Sequence, residues 1–330
     1  MCRYHCALLL PSLFRDDEMG HHLHFPLQAL HAPVIFSFMN TLDATTQTLI
    51  RMALEEDIGS GDVTAEFFIP ADAQSRAHIL AKEPGILAGM TVAAAVFRNL
   101  DHDLRVQPLR NDGDALLPGD AVMEISGPSR SLLSGERTAL NFLQRLSGIA
   151  TLTNRYVQAM GTTRCQLLDT RKTTPGWRTL EKAAVVAGGG TNHRHGLYDM
   201  VMVKDNHLLA EARLPELQQA IDAVHRQHPG MRVELEADRL SQVENFLTLR
   251  GVDVIMLDNM TNEEMQRCVN LVAGRVKLEA SGGVTLERLA SIAATGVDYI
   301  SCGAITHSAR SLDLSLEFTT TAAIGSLARG

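Results

Sequence analysis

Six short apolar runs in the second half of this sequence end on residues able to do polar chemistry. The endings are Asp169-Thr170-Arg171-Lys172, Lys204-Asp205-Asn206-His207, Glu234-Leu235-Glu236, Asp258-Asn259, Ser281-Gly282-Gly283 and Ser301-Cys302-Gly303. One polar ending is a turn; six at carboxyl ends of parallel strands describe the mouth at which barrel enzymes keep their sites. The charges there are segregated. Residues 164 to 204 hold seven Lys or Arg against three acids, a local +4 in a chain of net charge −8. Arg171, Lys172, Arg194 and Lys204 lie beside strand ends or a glycine-rich turn, which points to a substrate with several negative charges. Arg suits planar carboxylates bidentately, and Lys supplies a compact charge for phosphate.

On the acidic side stand Glu236 and Asp258. They are either salt-bridge partners of the basic cluster or a pair of oxygen ligands for Mg2+, which takes one or two carboxylates plus substrate phosphates. The last two strand ends, Ser281-Gly282-Gly283 and Gly303-Ala304, are glycine-rich and precede helices. Backbone N–H groups there can approach a phosphate closely, at the place where such barrels often bind one. The residues alone thus describe a barrel mouth with a phosphate cradle, a divalent-cation pair and a cationic pocket for a second anion. Two other readings fit part of this pattern. Lys204 ends a strand as the lysine of a Schiff-base aldolase does, and a non-catalytic sugar-phosphate binding module would need only the glycine turns.

The elements that position these residues follow from periodicity. Strands are predicted at 166–168, 200–203, 232–235, 254–257, 276–280 and 299–302, with amphipathic helices at 214–225, 240–249, 262–272 and 286–294. Such alternation implies a parallel sheet. The ends Glu236, Asp258, Ser281 and Gly303 recur every 22 or 23 residues, which favours a barrel of equal units. In Val233-Glu234-Leu235-Glu236 the period of two sends the apolar pair to the helix side and both glutamates into the barrel. The first half is mixed: helices at 42–57 and 92–100, strands at 76–81, 104–109 and 121–125. Ser134 reads as the N-cap of a helix carrying Arg137 in its first turn.

Composition bounds the rest. The chain has 330 residues, 45% hydrophobic and 21% charged, enough for two domains with a sizeable core. Net negative charge argues against nucleic acid or anionic membrane as partner, and no apolar run reaches the ~18 residues of a membrane span. Five cysteines without Cys-x-x-Cys spacing fit a reducing cytoplasm. Residues 1–40 hold five of the thirteen histidines and no sustained period. They read as a disordered leader, with the functional chain starting near Met39.

Longer runs carry a resemblance. Glu56-Asp57-Ile58-Gly59, Gly61-Asp62-Val63-Thr64, Glu136-Arg137-Thr138-Ala139-Leu140-Asn141, and Leu168 through Gly176 form its first part. Ala187-Gly188-Gly189-Gly190, Asn192-His193-Arg194, Val203 through His207, Leu257-Asp258-Asn259, Glu279 through Gly283 and Gly303 through His307 form the rest. Together, over about residues 42–318, they resemble the quinolinate phosphoribosyltransferases, also called carboxylating nicotinate-nucleotide pyrophosphorylases. The resemblance implies an N-terminal α/β sandwich (41–150) followed by an irregular, incomplete TIM-like α/β barrel (151–330) whose C-terminal segment can pack back on the sandwich. It implies a homodimer or higher homo-oligomer with a shared active site. It further implies that Arg171, His193, Arg194 and Lys204 line the quinolinate pocket, with Arg137 reaching in from the other subunit. Lys172 and Lys204 would meet substrate and pyrophosphate, and Glu236 and Asp258 the ribose and Mg2+. Ser281, Gly282, Gly283, Gly303 and Ala304 would cradle the 5-phosphate, and His307 would touch phosphate or cap the loop. Lys172, Lys204, Glu236 and Asp258 are then the expected catalytic set, acting on quinolinate and phosphoribosyl pyrophosphate. The nearest rivals on this scaffold are nicotinate phosphoribosyltransferase and a molybdenum-associated relative; the full cationic set favours a dicarboxylate.

Overall fold

The computed structural model describes residues 42–204 and 214–319. The expected leader, the Met39 start, the run Asp205-Asn206-His207 and residues 320–330 lie outside them.

A four-stranded antiparallel sheet, in the order β12 (Leu314–Phe318), β1 (Gln74–Ala81), β5 (Ala121–Pro128), β3 (Arg105–Pro108), underlies the first part. Ala77, Ile79 and Ala81 of β1 alternate inward and are fully buried, as period two requires. Helices α3 (Met90–Leu100) and α4 (Ser129–Ala159) pack on the sheet, and α1 (Ala44–Ile58) packs on both helices. Asp43 caps α1, its carboxylate accepting from Thr46 N at 2.9 Å. A short helix α2 (Val63–Phe68) and a two-stranded ribbon, β2 (Gly85–Ile86) with β4 (Ala115–Leu116), complete this layer. Strand β12 forms one edge of this sheet, pairing with β1 from more than two hundred positions further along the chain.

Ser134 does not open a helix. Helix α4 starts five residues earlier, after Pro128, whose φ of −55° suits a helix entry. Ser134 lies inside it, its hydroxyl donating to Asp62 Oδ2 at 2.8 Å and to Arg130 O at 3.0 Å. Arg137 is therefore beyond the first turn. The 31-residue helix also runs through position 150, where the sequence suggested a boundary.

The second sheet has six parallel strands in the order β6 (Gln166–Leu168), β11 (Tyr299–Ser301), β10 (Lys277–Ser281), β9 (Val254–Asp258), β8 (Val233–Ala237), β7 (Val201–Val203). This is the cyclic order of a barrel left unpaired between β6 and β7. Helices α5 (Arg178–Ala187), α6 (Leu214–Gln227), α7 (Leu240–Phe246), α8 (Asn262–Val272), α9 (Leu289–Ala293) and α10 (Ala304–His307) connect the strands. A capping box starts α8: Glu264 N donates to Thr261 Oγ1 at 3.2 Å and Thr261 N to Glu264 Oε2 at 2.8 Å. Two predicted helices are shorter than their apolar patterns. Thr248 Oγ1 donates to Asn245 O just past the end of α7, and a 3-10 turn at Leu286–Arg288, closed by Arg288 N donating to Thr285 O at 3.1 Å, precedes α9.

Candidate active site

Period two along the barrel strands sorts their side chains. On β8, Val233, Leu235 and Ala237 join the core, while Glu234 and Glu236 point inward. On β10, Glu279 and Ser281 do the same. The inward side chains stack in two layers. Glu236, Met256, Asp258, Ser281 and Ser301 line an open cavity of about 490 Å3, and Glu234, Val254, Glu279 and Tyr299 line a void of about 20 Å3 below it.

The larger cavity gathers most of the expected residues. Arg171 and Lys172 follow β6, His193 and Arg194 lie beside β6, and Lys204 follows β7. Glu236 and Asp258 end β8 and β9, and Ser281, Gly282 and Gly283 end β10. Thr170, Met202, Met256, Asn259, Glu279 and Ser301 line it too. Of these, Glu279 was legible by the alternation that exposed Glu234, since Glu279 and Ser281 are two apart on a strand. The sulfur-bearing walls Met202 and Met256 had no such signal.

The two acids at the rim are placed by main-chain geometry. Glu236 Oε2 lies 3.3 Å from Lys204 Nζ across adjacent strands. Asp258 Oδ2 accepts from Asn259 Nδ2 at 2.7 Å, and Asn259 adopts φ 56°, a left-handed conformation that Asn tolerates. Asn259 N then donates to Ser281 O at 2.9 Å. This packing explains Gly282. It sits at φ 87°, and a Cβ there would meet Asn259 Oδ1 at 2.1 Å.

The basic side is a like-charge pocket. Arg194 is 9% exposed; burial, and then the neighbouring Arg171 charge, press its guanidinium below the ordinary value. Arg194 Nη1 donates to Met200 O at 3.2 Å, and the Arg171 Nε is buried with no hydrogen-bond partner. Two neighbouring guanidinium groups, one with an unpartnered buried N–H, give this side of the cavity a chemistry suited to anions.

His193 faces the lower layer. Its Nε2 lies 3.1 Å from Glu234 Oε2 and 3.2 Å from Glu279 Oε2, both carboxylates being 1% exposed. Burial alone would lower the imidazole, but hydrogen bonds and charge from the two glutamates overcome it and push it up to about 9. Burial likewise raises Glu234. Both shifts favour retention of protons in the buried cluster. Arg194 N donates to His193 Nδ1 at 2.7 Å, which leaves Nε2 to carry the ring proton facing the two carboxylates. Among the described residues these three are the one group with metal-ligand spacing. A ring nitrogen that carries its proton toward the carboxylates offers no lone pair to a metal ion.

Three expected residues sit at the margin and one lies apart. Gly303 packs under Lys172, where a Cβ would come 2.8 Å from Lys172 Cδ, and Thr306 Oγ1 donates to Lys172 O at 2.8 Å. Ala304 opens α10. His307 is exposed, with Ser308 Oγ 2.7 Å from its Nδ1. Arg137 is exposed on α4 and does not line the cavity of its own chain.

A parallel barrel whose strand ends carry an anionic pair, a glycine turn and paired guanidinium groups defines an α/β-barrel enzyme for polyanionic substrates. Comparison with known proteins narrows the class. Residues 62–147 match the N-terminal domain and residues 149–317 the C-terminal domain of quinolinate phosphoribosyl transferase. A tobacco (Nicotiana tabacum) quinolinate phosphoribosyltransferase (decarboxylating) is 42% identical over 292 residues, 84% of this chain and 83% of its own length. A chloroplastic nicotinate-nucleotide pyrophosphorylase (carboxylating) from Arabidopsis thaliana is 42% identical over 294 residues, covering 84% of each chain. The crystal structure of NadC from Streptococcus pyogenes superposes with a TM-score of 0.78 at 42% identity, over 85% of this chain and 99% of that one. The chain belongs to the quinolinate phosphoribosyltransferase family, pentosyltransferases of NAD biosynthesis.

Proposed function

We propose that this cavity joins quinolinate to phosphoribosyl pyrophosphate, giving nicotinate mononucleotide, pyrophosphate and CO2, with each half of the rim holding one substrate. The observation that supports it most is the Arg171–Arg194 pair set opposite the Glu236–Asp258 pair around one cavity. Arg171 and Arg194 hold the two carboxylates of quinolinate, with His193 in the pocket wall beside them and Lys204 at the border between the halves. The Ser281–Gly283 turn, with Gly303 and Ala304, takes the 5-phosphate, and His307 stands at its edge.

Glu236 and Asp258 fit a hard cation. They are two carboxylates at neighbouring strand ends, open to the cavity, and they leave room for phosphate oxygens and water. Glu236 and Asp258 would hold Mg2+, which would supply positive charge to offset that of departing pyrophosphate. Lys172 and Lys204 carry the same burden from the basic side. The quinolinate ring nitrogen attacks C1 of the ribose while the bond from C1 to the pyrophosphate oxygen breaks. The pyridinium nitrogen then withdraws electrons, the bond from C2 to its carboxylate breaks with release of CO2, and the pair left at C2 takes up a proton. The protein supplies orientation and charge placement, with no covalent enzyme intermediate.

A homodimer completes this reading. Arg137, exposed on α4, reaches the cavity of a second copy. A cytoplasmic setting also belongs to it, supported by Cys165, Cys268 and Cys302, which are buried free thiols. The deciding assay incubates the protein with quinolinate, phosphoribosyl pyrophosphate and Mg2+ and follows nicotinate mononucleotide and CO2. Absence of both products would defeat the proposal.

A further inference from the structure

Lys182 on α5 and Asp169 at the end of β6 form an ion pair with almost no solvent access, their side chains being 2% and 0% exposed. Neither lines the cavity. As a source of stability such a pair is a poor choice, because desolvating both charges is expensive and apolar residues of similar volume often serve as well. What the pair grips is more telling.

Asp169 Oδ1 accepts from His193 N at 2.8 Å, and Lys182 Nζ donates to His193 O at 3.1 Å. One residue is thereby held at both of its backbone polar groups. The Asn192 amide, with its nitrogen turned toward the pair, donates to Asp169 Oδ2 at 2.6 Å and to Lys182 O at 3.0 Å. Just upstream, Thr191 N donates to Leu167 O at 2.8 Å and Asp169 N to Thr191 O at 3.1 Å. The segment from Thr191 to Arg194 is therefore laid along β6, on the edge where the barrel has no β6–β7 pairing. Arg194 then crosses to Met200 O beside β7. The pair adds two anchors at the His193 backbone itself to the two contacts that tie Thr191 to β6.

We infer that the Asp169–Lys182 pair is the positioning device of the carboxylate pocket: it sets where His193 and Arg194 stand across the open seam of the barrel. The inference rests on the assignment of those two residues to quinolinate. The pair acts through the loop, and among the described residues its side chains make no hydrogen bond or ion pair with those assigned to phosphoribosyl pyrophosphate. Its effect is thus confined to one substrate.

The test removes both charges together, in Asp169→Asn/Lys182→Met, so that no lone buried charge is left to unfold the protein. The expected result is a quinolinate KM raised roughly tenfold or more, matched by weaker quinolinate binding in calorimetry, with the KM for phosphoribosyl pyrophosphate within about twofold. Equal shifts for both substrates, or an unchanged quinolinate KM in the folded double variant, would overturn the inference. Asn192→Ala, at an exposed position, covers the case in which the double variant does not fold. It should raise the quinolinate KM about two- to fivefold, the value of its charge-assisted hydrogen bond to Asp169, and no change there would also overturn the inference. Arg194→Met separates the two levels. If it leaves quinolinate binding untouched, the pocket assignment fails and the positioning role falls with it. If it weakens binding while the other variants do not, the positioning role alone is wrong.

Discussion

His193 Nε2 stands 3.1 Å from Glu234 Oε2, one layer beneath the cavity, whereas Glu236, two residues further along the same face of β8, lies at the rim. One strand therefore supplies a carboxylate for the floor and another for the mouth. The floor carries a pH signature. The His193 cluster holds its proton up to about 9, against 6.5 for an isolated imidazole. A raised value in the folded state means stabilisation that is complete below about pH 6.5 and lost as pH rises through about 9, on the order of 3 kcal/mol at most. Denaturant unfolding of the wild type and His193→Gln should show a stability gap that narrows between pH 6.5 and 10. A gap independent of pH would refute this account of the cluster.

Nicotinate should be a far poorer substrate than quinolinate. It lacks the 2-carboxylate, so part of the Arg171–Arg194 pocket would stay buried and unmatched, a loss of roughly a hundredfold or more in kcat/KM. Comparable kcat/KM values for the two acids would show that the pocket does not read two carboxylates.

Asp258→Asn should separate the halves of the cavity. Removing one anionic oxygen ligand should weaken the Mg2+ dependence of phosphoribosyl pyrophosphate use by roughly ten- to a hundredfold. Quinolinate binding to the protein without metal should stay within about twofold, since Asp258 is assigned no quinolinate contact. Collapse of quinolinate affinity with unchanged metal dependence would mean that the acidic and basic sides are assigned the wrong way round.

The shared site gives the sharpest test. Arg137 is exposed on α4 and lines no part of its own cavity. If it grips a quinolinate carboxylate in a second copy, Arg137→Ala costs on the order of 2–4 kcal/mol of transition-state stabilisation, roughly thirty- to a thousandfold in rate. Mixing inactive Arg137→Ala with inactive Lys204→Ala and allowing subunits to exchange should restore part of the activity. One pocket of each mixed dimer then carries both defects and the other neither. No recovery after confirmed exchange would place Arg137 in the service of its own chain.

Much of this protein is local in origin, and the sequence alone determined that part. Strand and helix periods depend on near neighbours, so the barrel strands, the inward face of Glu234 and Glu236, and the polar strand ends could all be read residue by residue. The resemblance added the identity of the substrates, which no spacing specifies. Tertiary structure decided what depends on long-range pairing. Pro128 rather than Ser134 precedes α4, and Ser134, inside the helix, donates its hydroxyl to Asp62, seventy-two residues away. Strand β12 joins β1 across more than two hundred residues. Lys182 looked like one more member of a basic stretch, yet it is buried against Asp169 and serves the backbone of His193. A charge in a sequence carries no mark of its burial; only the packing around it decides whether it meets solvent, a substrate or the chain itself.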